Sequence, residues 1–103
     1  MNKTAFLNSL ENNDTRVNAA LEAIERHVKA DEMLAAVRNE RMATVFEKAG
    51  HWPVGNIAAV RKAAADEKDL ITFVSVVCDE IPESVFKDIV IACDSEQTAR
   101  PNI

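Results

Sequence analysis

Two histidines, His27 and His51, and two cysteines, Cys78 and Cys93, are the side chains of this sequence best suited to chemistry. A two-cysteine, two-histidine metal site draws on close pairs, roughly two to four residues apart for cysteine and three to five for histidine, so that local structure pre-arranges the ligands. Here the histidines stand 24 residues apart and the cysteines 15. Neither pair is set up by its own segment, and no metal ligand set is assigned. A nucleophilic cysteine needs a base and a lowered pKa. Asp79 and Asp94 directly follow the two cysteines and act the other way, because a neighbouring negative charge disfavours the thiolate. Both cysteines are therefore expected to be small core residues.

Phosphate and carboxylate chemistry find no better footing. The two glycines form no glycine-rich loop, and neither opens a phosphate-cradling motif. The paired acids Asp31/Glu32 and Asp66/Glu67 fall at expected helix starts, where negative charge suits the helix dipole. Asp79/Glu80 differs, lying toward a helix end with Glu83 beside it and Asp88 about a turn further on. That acidic knot is a candidate contact for a basic partner. Catalytic, metal and cofactor residues are all assigned as none, and the chain is expected not to be an enzyme.

The elements that would position these groups follow from composition and periodicity. The 103 residues suffice for one domain, and 48% apolar with 28% charged residues is ordinary for a globular protein. No apolar run approaches the ~20 residues of a membrane span, the N-terminus lacks a secretory apolar stretch, and a cytoplasmic location is expected. Net charge is −5, but residues 1–62 carry nine basic and eight acidic side chains, and residues 63–103 carry three and nine. A mildly basic middle thus precedes an acidic last third.

Periodicity predicts an all-α bundle of five or six short helices over residues 1–98, with a frayed tail over 99–103. The first helix covers about 4–12. The second, capped by Asp14, carries the stripe Val17, Leu21, Ile24 and Val28 at helical spacing. The third is expected to start from Asp31 and run to Ala49, with a broad face from Met33 to Phe46. Asn56 caps a short fourth helix whose inward residues are Ile57, Val60 and Ala64. Asp66 starts a fifth that is apolar nearly all round, and Pro82 opens a sixth with Val85, Phe86, Ile89, Val90 and Cys93 on one face. The β-branched run in "LITFVSVVC" allows an alternative, α+β with one C-terminal hairpin. A helix as apolar as the fifth is either central to the bundle or shared with a second subunit, so a homodimer is an open expectation.

The segment "EKAGHWPVGNIAAVRKAA" joins the third helix to the fourth and admits two uses. In a helix-turn-helix, residues 42–65 would read DNA, with Asn56, Arg61 and Lys62 at the bases and Arg38, Arg41 and Lys48 on phosphates. The reader helix then holds two cations, followed closely by Asp66, Glu67 and Asp69, which is a weak footprint for a polyanion. The favoured use is docking to a protein partner. Trp52 either tucks into the core and closes the corner, which is the favoured placement, or is exposed. If exposed, it and His51 would anchor the contact and Arg61 and Lys62 would rim it, while Asp79, Glu80 and Glu83 would offer a second, acidic surface. The expected function is a small acidic regulatory accessory module that binds protein without catalysis; a DNA-binding transcriptional regulator is the alternative.

Overall fold

A computed structural model of the protein describes residues 2–47 and 56–98, with side chains through residue 95. Seven α-helices are formed among the described residues: α1 (Lys3–Leu10), α2 (Asp14–His27), α3 (Ala30–Arg38), α4 (Glu40–Glu47), α5 (Ile57–Ala63), α6 (Glu67–Glu80) and α7 (Glu83–Thr98). The described residues contain no strand, so the all-α expectation holds and the hairpin alternative is overturned. The radius of gyration, 13.1 Å, matches the value of about 13 Å for a compact chain of this length.

The β-branched run that suggested a strand lies in α6, where Val74, Val76 and Val77 are fully buried. Packing decides there, because α6 touches α1, α2, α3 and α4 and buries its side chains against all of them. It is the central helix of the bundle. Phe73, Val74, Val76, Val77 and Cys78 are covered within one chain, and Leu70 and Ile71 are half-buried at the core's margin. The stripe Val17, Leu21, Ile24 and Val28 is buried as its spacing requires, and α2 uses it to join α1, α5, α6 and α7.

The helix count exceeds the expected five or six because the third segment divides at Asn39. That residue is extended, with φ −61° and ψ 143°, and its side-chain carbonyl accepts from the Arg41 N–H at 2.9 Å. Its backbone carbonyl accepts from Met42 and Ala43, both at 2.9 Å, so one asparagine ends α3 and starts α4. The kink lets α3 and α4 both lie against α6.

Other boundaries shift by a residue or two. The α2 cap is Asn13, not Asp14; its side chain accepts from Arg16 N–H at 3.0 Å, and Asp14 occupies the first turn. The α3 start lies at Lys29, whose N–H donates to Glu32 Oε1 at 3.2 Å, which places Asp31 inside the helix. The first helix stops at Leu10, and Asn12 turns the chain with φ 56°, a left-handed value that asparagine tolerates well. Asn56 and Asp66 cap α5 and α6 as expected, accepting from Ala59 N–H at 2.8 Å and Asp69 N–H at 3.0 Å. Ala63 rather than Ala64 is the buried alanine of α5. Pro82 directly precedes α7, and its carbonyl accepts from Val85 and Phe86. On α7, Phe86, Ile89, Val90 and Cys93 face the core, with Val85 packed at its margin. The expected tail at 99–103 lies outside the described residues.

Candidate functional site

Three of the residues singled out for partner contact meet where α6 ends and α7 begins. Asp79 sits on the last turn of α6, and Glu80 follows it; Ile81, 8% exposed, pins the corner into the core; Glu83 opens α7. The chain at this corner is thus held by a buried isoleucine and by the Pro82 carbonyl bonds. Asp79 is not free to serve a partner as fully as a solvated acid would be. Its Oδ1 lies 3.7 Å from Lys3 Nζ, and its Oδ2 accepts from Arg41 Nη1 at 3.5 Å. Arg41 also donates through Nη2 to Ser75 Oγ at 3.2 Å. Two cations thereby offset part of the knot, and Glu80, Glu83 and Asp88 are its other exposed acids. All three ion-pair partners are about half exposed, so each pair contributes only a fraction of a kcal/mol, within the roughly 0–1 kcal/mol typical of surface pairs.

Of the residues proposed for DNA contact, Arg41, Arg61 and Asn56 have partners within the chain. Arg41 is engaged by Asp79 and Ser75 across α6. Arg61 donates through Nη1 to Asn18 Oδ1 on α2, which draws its guanidinium toward the bundle. Asn56 commits its side-chain carbonyl to the α5 cap. Lys62 and Arg38 are exposed, the latter at the end of α3. The helices themselves lean on different partners: α4 packs on α3 and α6, and α5 on α2. Lys48, His51 and Trp52 lie outside the described residues.

The cysteines are buried side chains, as expected. Burial pushes the Cys78 thiol up to about 11 from 9.0; Lys3 opposes it as the next largest influence, and Asp79 and Cys93 add smaller upward pushes. A thiol held that high is a poor nucleophile at neutral pH. His27 ends α2 on the surface. Among the described residues no three or more His, Cys, Asp and Glu side chains are grouped to hold a metal ion, and no helix is long and apolar enough to cross a membrane.

No family model matches this sequence, and no curated protein or solved structure does either. The arrangement of this chain's own residues is what bears on its function.

Two features of that arrangement were not read from the sequence. Arg16 is buried, 4% exposed, although it is charged. Its Nε donates to Ser9 Oγ at 2.8 Å, its Nη1 to Asp94 Oδ1 at 2.9 Å, and its guanidinium lies 5.5 Å from the Phe6 ring centre. A signal existed: Ala20 and Ala23 stand four and seven residues after Arg16, in phase with the buried side of α2. The second is Ile91, 61% exposed, the large apolar side chain that the described surface leaves in water. It falls out of phase with the buried face of α7, which the sequence also displays.

Proposed function

We propose that this chain is a non-catalytic docking module that binds a protein partner in the cytoplasm, and that it engages a basic segment of that partner through Glu80 and Glu83. The observation that carries this reading is that both acids are exposed at a corner whose backbone is anchored by the buried Ile81. Buried Ile81 and the Asp79 contacts to Lys3 and Arg41 tie the corner to α1, α4 and the core. A backbone already anchored loses less freedom on binding than a loose segment would, so more of the Coulomb attraction survives as affinity. Charge pairing of this kind raises the association rate and selects against acidic partners. The module would regulate by occupying or bridging the partner, since docking is the chemistry its exposed groups offer.

The test is quantitative capture with wild-type protein, with Glu80→Lys/Glu83→Lys and with Lys62→Ala. Partners retained by Lys62→Ala and lost with the double reversal are the expected result. A parallel titration measures fluorescence anisotropy of a labelled duplex at ~50 and ~200 mM salt, where phosphate contacts weaken most. Capture unchanged by the double reversal overturns the acidic-corner reading. Duplex binding that collapses with salt and with Arg61→Ala/Lys62→Ala would replace it by nucleic-acid recognition.

A further inference from the structure

The outer face of α7 carries a charge pattern that is complementary to itself. Ser84, Lys87, Asp88, Ile91, Asp94 and Ser95 are all exposed. At 3.6 residues per turn, Lys87 and Asp94 stand about 40° and 60° to one side of Ile91, and Asp88 and Ser95 about 60° and 40° to the other. Along the axis, Lys87 and Asp88 lie below Ile91 by about 6 and 4.5 Å, and Asp94 and Ser95 above it by the same amounts in reverse order. A two-fold axis through Ile91, with two α7 helices antiparallel, keeps each side on its own side and exchanges above with below. Lys87 of one copy then meets Asp94 of the other, and Asp88 meets Ser95. Like charges are kept apart, and the two Ile91 side chains meet at the centre.

We propose that the outer face of α7 is a homodimer interface, with two copies paired antiparallel about Ile91. The hollow beside Ile91, about 240 Å³ and lined by Phe86, Lys87, Val90 and Ile91, gives the incoming isoleucine an apolar wall. The occupant is a second copy because the pattern around Ile91 matches its own reverse, a property that an isologous contact requires. Asp94 also accepts from Arg16 inside its own chain, and its side chain is 55% exposed, so a lysine of the second copy reaches it from the solvent side. The described turns of α7 from Glu83 to Ser95 span about 18 Å, so the pairing is at the small end of specific interfaces and dissociates on dilution. Dimerisation would set the two acidic corners on opposite ends of the paired helices and make docking bivalent.

Sedimentation velocity of the full chain from ~10 to ~500 µM reads the equilibrium, since contacts of this size give affinities in the micromolar range or weaker. The expected result is a weight-average mass that climbs toward twice the monomer for wild type. Ile91→Asp should stay monomeric at every concentration with unchanged helicity by circular dichroism. Register is tested by mild oxidation of variants that each add one surface cysteine, with Cys78 and Cys93 left buried in the core. Ile91→Cys should give a disulfide-linked dimer, because the axis places the two sulfurs together. Ser84→Cys should give none, because its two copies are about 21 Å apart along the helices. A monomer at all concentrations overturns the proposal. A dimer that survives Ile91→Asp, or that cross-links equally through Ser84→Cys, overturns it as well.

Discussion

Arg16 gives the sharpest test of how this fold holds together. Its guanidinium is buried between α1 and α7, bonded to Ser9 and Asp94 and stacked near Phe6. A hydrogen bond to a charged group contributes about 1.5–3 kcal/mol, and the half-exposed Asp94 side chain places its bond in the lower part of that range, at about 1.5–2 kcal/mol. Asp94→Ala removes the carboxylate and leaves a buried cation short of a partner, so it should destabilise by about that amount. Arg16→Met keeps much of the volume and removes the charge. Ser9 Oγ would still donate to the Phe6 carbonyl at 2.5 Å, and Asp94 would turn to water. Replacing a buried ion pair by apolar volume is often neutral. The methionine variant should therefore lose less than Asp94→Ala, by about 1 kcal/mol. Urea denaturation followed by circular dichroism measures both. An Arg16→Met loss equal to or larger than that of Asp94→Ala would refute the reasoning and show that the guanidinium network itself contributes net stability.

Two further outcomes follow from local features. Asn56→Ala removes the α5 cap bond to Ala59 N–H and should cost about 1 kcal/mol, with Asn56→Asp retaining most of it; thermal melts of the three proteins give the ordering. Cys78 makes stability fall at high pH. Its thiol ionises near 9.0 when unfolded but only near 11 when folded, so the unfolded state sheds its proton first as pH rises. The loss should begin near pH 9 and be complete above 11. Denaturation at a series of pH values should show a shallower decline for Cys78→Ala than for wild type, and equal declines would contradict the assignment.

The helices were legible because their signals are local. The stripe on α2, the inward face of α7 and the caps at Asn56 and Asp66 each depend on residues within a turn or two. Helix boundaries were less so where two capping residues compete. Asn13 prevailed over Asp14, and Asn39 interrupted an apolar face that the sequence presents as continuous. The choice of helix over strand for the valine run in α6 depended on its neighbours. A β-branched segment covered by four other helices gains more from burial than it loses in propensity.

The site was decided almost wholly by tertiary structure. Sequence marked Asp79, Glu80 and Glu83 as an acidic knot, and it marked Arg41 and Arg61 as cations available to phosphate. Folding brings Lys3 and Arg41 onto Asp79, and Asn18 onto Arg61, across separations that no periodic pattern records. The Arg16–Asp94 pair joins residues 78 apart. Sequence alone determined which segments become helices and which of their faces are apolar, because backbone hydrogen bonding and side-chain period act over a few residues. Which charges are left exposed depends on how those helices cross, and that is set only when the core packs.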